Sequence, residues 1–306
     1  MVQNVASVSP LPPMSVTRYR RVVALARKNP SLTIGLIGLS IIVAATLLAP
    51  LLTSYDPYAQ SLASRRIPPF WHMWIDNNPK AGFQHWLGTD KLGRDYWARI
   101  LYGGRISLLI GFTTVVISGL IGSTLGICAG YFGGRVDAVV SFLVSVRLSM
   151  PIILIALAVV ALHGSSLEII IMVLGLLLWD RFAVVLRAVT QQVRSKEYVT
   201  AAYAVGCSRL RIILQEVLPN VLNPLIVVAT IEIANAILFE AALSFLGLGV
   251  QPPLPSWGLM LAEGKSEVFF APWMIAIPGT ALFVLVLTVN LLGDGFRDAF
   301  AKETRL

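Results

Sequence analysis

Residues 106–131 read ISLLIGFTTVVISGLIGSTLGICAGY, a stretch without Asp, Glu, Lys or Arg. A helix needs about 20 apolar residues to cross the hydrocarbon core of a bilayer, so this stretch is long enough to span a membrane. A helix also satisfies its own backbone hydrogen bonds in lipid, and the alternating ten-residue segments of a membrane barrel are not seen. The stretch therefore predicts a membrane-spanning α-helix.

Five further apolar stretches lie on either side of this one. They are residues 32–52, 136–162, 169–186, 222–246 and 273–292. Only 13% of all residues are charged, whereas about 25% are charged in an ordinary soluble domain. We therefore predict an all-α protein with six membrane-spanning helices.

The positions of lysine and arginine predict how these helices are oriented, because basic residues are enriched in short cytoplasmic segments. Residues 1–31 and the connection 187–220 are basic, so we expect both in the cytoplasm. Six spans return the tail 293–306 to the same side. Residues 53–105 then lie outside despite their basic residues, and residues 106–292 form a five-helix core. The expected location is a bacterial cytoplasmic (inner) membrane, with both termini cytoplasmic.

The net charge of +8 does not by itself indicate nucleic-acid binding. The basic residues flank apolar runs, where they set membrane orientation, so we expect membrane lipid and no nucleic acid as a partner. The two cysteines and three histidines are scattered, which predicts neither a disulfide framework nor a metal site.

No G-x-x-x-x-G-K-[ST] phosphate loop and no hydrolase motif occurs in the sequence. The chain is therefore not expected to be an enzyme or to hydrolyse ATP by itself. If it moves solutes uphill, the energy must come from a partner or from an ion gradient.

Residues 195–220 read SKEYVTAAYAVGCSRLRIILQEVLPN. Gly206 is the residue type that ends a helix in the left-handed conformation, and Ser208 can cap the next helix. The segment thus predicts a short helix over 197–205, a tight turn and a second helix that carries Pro219. The first helix could dock in a partner's groove, or the pair could form an ordinary hairpin on the membrane surface.

The spacing Ala-Ala-x-x-x-Gly followed by Leu-Pro resembles the cytoplasmic loop of ABC importer permeases. Three further segments resemble the dipeptide/oligopeptide/nickel permease family, and within it the C type (DppC- and OppC-like) of its two permeases. They are HWLGTDKLGRDYWARILYGGRISLLIG at 85–111, EAALSFLGLGVQPP at 240–253 with SWG at 256–258, and NLLGDGFRDA at 290–299. One departure lies before Pro151, where relatives often carry an acidic residue and this chain has Ser145 and Arg147.

This resemblance implies the type I ABC importer permease fold and the import of di- or oligopeptides, nickel, opines or glutathione. The implied partners are a second permease in a heterodimer, two cytosolic ATPase subunits and an extracytoplasmic solute-binding protein. ATP and Mg²⁺ would bind the ATPase subunits, and no cofactor would bind this chain. The short coupling helix would seat in a cleft of the ATPase. The residues expected to couple to it are Glu197, Tyr198, Ala201, Ala202, Tyr203, Gly206, Leu218 and Pro219.

One face of the fifth predicted span carries, at helical spacing, Glu232, Asn235, Ala236 and Phe239, with Glu240 at the edge of that face. A charge inside a span costs about 2.5 to 3.5 kcal/mol on insertion scales, so such residues usually face a cavity or a partner. This stripe is the candidate translocation path. Alternatively, it joins the two permeases or pairs with Arg147 and Arg181, while Asp180 and Arg181 could also neutralise each other.

Two other functions stay open. In an ion-coupled secondary transporter, Glu232, Glu240 and Arg147 would be the coupling groups. The second open function is that of a scaffold or receptor subunit that does not transport solute. Outside the membrane, Asp90 is expected to cap a short helix, and the loop with Glu263 and Glu267 could contact the binding protein.

Overall fold

The computed structural model describes residues 29–303, with side chains to residue 300. The predicted basic tail before residue 29 and the last three residues lie outside this range. In the described part there is no β-strand, and only one isolated bridge joins Thr89 to Asp95. The prediction of an all-α fold is confirmed for these residues.

Thirteen α-helices follow one another along the described chain. They are α1 (Pro30–Leu47), α2 (Ala49–Leu52), α3 (His72–Ile75), α4 (Tyr96–Phe132), α5 (Gly134–Leu148), α6 (Ile152–His163), α7 (Leu167–Leu177), α8 (Asp180–Arg194), α9 (Glu197–Ala204), α10 (Arg209–Ile212), α11 (Leu218–Phe245), α12 (Trp257–Gly264) and α13 (Trp273–Glu303). A π-helical turn, Ile213–Val217, joins α10 to α11. Two 3₁₀ turns, Leu62–Ser64 and Lys265–Glu267, lie in the loops.

Five helical stretches of the described chain are long and apolar enough to cross a membrane, namely Pro30–Leu47, Tyr96–Phe132, Leu167–Arg194, Arg209–Phe245 and Trp273–Phe300. The pair α5 and α6 makes a sixth if its two bent halves count as one span. These halves are bent by 81°, so the predicted span 136–162 is not one straight helix. Pro151 lies at the break. The helix is interrupted there because proline lacks the N–H that would continue it.

Helix α4 packs closely along α8 because one of its faces consists of glycines. A Cβ atom at Gly126 would lie 2.6 Å from the carbonyl oxygen of Ala183, and one at Gly130 would lie 2.6 Å from that of Arg187. Small residues at i and i+4 let two helix backbones approach in a membrane, where packing replaces the hydrophobic effect.

Helix α11 is the central element of the helical core. It packs against α4, α8, α12 and α13, and α13 also packs against α1. Ile237 of α11 is completely buried beside Met260 and Met274 of the following elements. This position places polar residues of α11 within reach of several other helices.

Candidate functional site

The predicted coupling segment forms a helical hairpin at one end of the core. Helix α9 ends at Ala204, one residue before the predicted end, and Gly206 adopts a φ of +83° in the turn. The backbone N–H of Arg211 donates to the Ser208 hydroxyl at 3.4 Å, so Ser208 caps α10 as expected. The turn and cap of this hairpin therefore follow the sequence pattern.

The inner side of the hairpin is fixed to the base of α11 by apolar contacts. Val199 of α9 is buried in one cluster with Ile212 and Val217. Ala202 and Leu218 are partly buried against the same cluster. Two of the predicted coupling residues, Ala202 and Leu218, are thus half-buried and pack in the contact between the hairpin and α11.

Tyr198 adds a polar connection to this packing. The Asn220 side-chain amide donates to the Tyr198 hydroxyl at 3.1 Å. Partial burial, and after it the negative charge of Glu216, raise the pKa of the Tyr198 phenol. The remaining predicted coupling residues are exposed, namely Glu197, Ala201, Tyr203, Gly206 and Pro219.

Glu232 lies in an ion pair between two of the predicted spans. Its carboxylate is 3.2 Å from the Arg181 guanidinium, and its own side chain is only 1% exposed. The Asn235 side-chain amide donates to Glu232 Oε1 at 3.1 Å. The structure thus brings Glu232 and Asn235 together, and it joins α11 to α8 through Arg181.

Arg147 pairs with Asp180, so Asp180 and Arg181 do not neutralise each other. Its guanidinium lies 3.8 Å from Asp180 and donates through Nε to the carbonyl oxygen of Leu177 at 2.6 Å. Leu177 ends α7, where a carbonyl lacks its usual helical partner. Arg147 therefore supplies a donor at the break between α7 and α8.

Glu240 lies two turns from Glu232 and has different partners. It is completely buried and accepts hydrogen bonds from the hydroxyls of Ser244 at 2.7 Å and Ser256 at 2.9 Å. Ser256 caps α12, so Glu240 fixes the start of that helix to α11. Phe239 is partly buried in the apolar cluster around α7.

A cavity of about 280 Å³ lies where α8 and α11 meet. Glu232 borders it together with Asp180, Arg181 and apolar residues such as Leu148 and Val184. Asn235, Phe239 and Glu240 do not line this cavity. The predicted polar stripe is therefore divided, and only its Glu232 end borders open space there.

A buried network of four charges lies outside the predicted spans, and sequence reasoning missed it. Arg99 contacts Asp90 at 2.7 Å and Glu263 at 2.6 Å, while Arg94 contacts the same two carboxylates at 2.6 and 3.0 Å. Burial opposes the charge of Arg94, but Glu263 and Asp90 outweigh it and raise its pKa. The network fixes the segment before α4 to α12.

One expectation for this segment is wrong. Asp95, not Asp90, caps α4, since its carboxylate accepts from the backbone N–H of Ala98 at 2.8 Å. The side chains of Glu263 and Glu267 are both largely buried in ion pairs within the chain, Glu263 with Arg99 and Glu267 with Arg66. The sequence signal for the network was the mixture of acidic and basic residues in 90–99. Their partner Glu263 lies far along the chain.

No group of three or more His, Cys, Asp and Glu side chains within the described part could hold a metal ion. Cys128 and Cys207 are both free thiols.

Two family profiles match the sequence. One is "Binding-protein-dependent transport system inner membrane component", over residues 122–306. The other is "N-terminal TM domain of oligopeptide transport permease C", over residues 17–69. Together they cover both the first predicted span and most of the helical core.

Individual relatives match over almost the whole chain. The dipeptide transport system permease protein DppC of Alkalihalophilus pseudofirmus is 39% identical over 95% of this chain and 92% of its own length. The di/tripeptide transport system permease protein DppC of Pseudomonas aeruginosa is 40% identical over 89% of this chain and 88% of its own. These matches confirm the resemblance found in the sequence.

A solved structure supports the fold separately. An inward-facing structure of the MetNI methionine ABC transporter superposes with a TM-score of 0.54 at 19% identity, over 65% of this chain and 94% of the matched one. This likeness confirms the expected ABC importer permease fold. By its sequence profile and its relatives, the chain belongs to the family of binding-protein-dependent transport system inner membrane components.

Proposed function

We propose that this chain is a membrane-spanning permease subunit of an ATP-driven ABC importer for di- or oligopeptides or related small solutes. The observation that carries the proposal is the 39% identity over 95% of the chain to a dipeptide permease. A second relative, named for di/tripeptide transport, supports the same class of cargo. A solute-binding protein delivers the cargo.

The helical hairpin is the proposed contact with the ATPase. Its inner side is packed on the base of α11, while Ala201, Tyr203 and Gly206 are exposed. A partner that moves α9 therefore moves α11, and with it Glu232 in the core. This connection supports a mechanism in which closure of the ATPase pair on ATP changes the access of a path between two permeases.

The finer partner assignment is part of the same proposal. A second permease forms a heterodimer with this chain, and two ATPase subunits hold ATP and Mg²⁺. The hairpin and both termini face the cytoplasm of a bacterium, across its inner membrane. The positive-inside distribution of Lys and Arg is the support for this orientation.

Co-purification of the transporter from membranes tests the proposed contact. We expect wild type to retain the ATPase subunits and Gly206→Asp to lose them, since Gly206 is exposed and its φ of +83° strains any other residue. Gly247→Asp is the matched control, because Gly247 has a φ of +84° and equally open surroundings on another loop. It is expected to retain the ATPase.

The alternative outcomes separate the candidate functions. If wild type brings down no ATPase under gentle detergent, the importer proposal is wrong. An ion-coupled secondary transporter then becomes the better candidate, and its transport would stop when a proton or sodium gradient is collapsed. If both glycine variants lose the ATPase, the hairpin is not its specific contact.

A further inference from the structure

Arg181 lies within the predicted span 169–186, at the second residue of α8, and its side chain projects from the chain. The side chain is 60% exposed. A guanidinium within a span is costly in lipid, so this surface of α8 faces protein or a polar path.

Only part of the hydrogen-bonding capacity of Arg181 is used. A guanidinium has five N–H donors in a planar fork. Among the described residues, Glu232 is the one carboxylate that pairs with it, through Nη1 at 3.2 Å. Asp180, its sequence neighbour, is paired with Arg147 instead. The outer N–H groups of Arg181 can therefore donate two parallel hydrogen bonds to a carboxylate.

The surroundings favour one chemical class of ligand. The cluster of Arg147, Asp180, Arg181 and Glu232 is neutral overall, with two positive and two negative charges. Its carboxylates are buried, and the group it exposes is positive. The exposed positive charge of Arg181 favours an anionic group, such as the carboxylate end of a zwitterion, over a bare metal cation.

We propose that Arg181 binds the free carboxylate of the transported solute, while Glu232, which accepts a hydrogen bond from Asn235, holds the Arg181 guanidinium at the wall of the cavity between α8 and α11. Arg181 would then be a specificity-determining residue of the path. The inference rests on the proposed import function and adds the substrate class: solutes with a free carboxylate, such as unmodified peptides.

The test uses the complete transporter in proteoliposomes, with its binding protein saturated by each probe. The probes are dialanine and dialanine amide, which lacks the carboxylate. We expect wild type to import dialanine roughly tenfold faster than the amide, as for loss of one charged hydrogen-bond pair. Arg181→Gln should lower dialanine import by a larger factor than amide import, so that the two probes are then imported at similar rates. Arg181→Lys should fall between them.

Val184→Gln is the control, because Val184 borders the same cavity and carries no charge. It should change the import of both probes by the same factor. The inference is overturned if Arg181→Gln slows both probes equally, or if it releases the second permease during purification, since Arg181 would then be a contact between subunits. If wild type imports neither probe, the proposed peptide import itself has failed.

Discussion

The Nε atom of Arg147 donates to the carbonyl oxygen of Leu177 at 2.6 Å, and this bond joins two interrupted helices. Arg147 lies one residue before the end of α5, at the bend into α6. Leu177 is the last residue of α7, at the break before α8. One arginine therefore satisfies a carbonyl at one helix break while lying next to another.

Removal of Arg147 should destabilise this junction. Arg147→Leu leaves the Leu177 carbonyl without its donor and the Asp180 carboxylate without its charge partner, and we expect a loss of roughly 2 to 3 kcal/mol in stability. Thermal unfolding in detergent measures it. The double variant Arg147→Leu, Asp180→Leu should recover part of the loss, because no buried charge is then unpaired. Additive losses would show that the pair does not interact.

Arg99 should be the most sensitive position of the network outside the spans. Arg99→Met leaves both Asp90 and Glu263 buried with fewer partners, and we expect a loss of about 3 to 5 kcal/mol. The melting temperature in detergent reports it.

Arg65→Met is the control for Arg99, because Arg65 is exposed and donates only to the Lys91 carbonyl. Its effect should stay within about 0.5 kcal/mol. Equal melting temperatures for the two variants would contradict a structural role of the network.

The spans and the hairpin were predictable from sequence because their signals are local. A run such as 106–131 has enough apolar length to span, and Gly206 with Ser208 defines the turn by residue type alone. The resemblance to known permeases rested on contiguous motifs. The relatives that match over most of the chain confirm this resemblance.

The charge network around Arg99 was not predictable because its partners are distant in the chain. Arg99 and Glu263 are separated by 164 positions, so their contact depends on how the segment before α4 meets α12. Arg147 and Leu177 meet only because two helices are interrupted at the same place. Sequence reasoning offered Arg181 as a partner for the stripe that contains Glu232, which the structure bears out, and it named no partner for Arg94 or Arg99.

The glycine face of α4 should tolerate no large side chain. Gly126→Leu places atoms against the carbonyl of Ala183, and the helices must separate to accept them. We expect the yield of folded protein in size-exclusion chromatography to fall severely. Gly82→Leu, at a position with open surroundings, should leave the yield unchanged. A normal yield for Gly126→Leu would mean that α4 and α8 are not closely packed in the membrane.

Within α9, we expect different residues to affect ATPase binding and the stability of the hairpin. Tyr203 is exposed, so Tyr203→Ala should weaken ATPase co-purification without lowering the melting temperature of the chain. Val199 is buried on the inner side of the hairpin, so Val199→Ala should instead destabilise the hairpin by roughly 2 kcal/mol. Limited proteolysis of the 195–220 segment reports the second effect. If Tyr203→Ala lowers the melting temperature as Val199→Ala does, Tyr203 is a structural residue and not a docking one, and the proposed ATPase contact must lie on the Ala201 side of the helix.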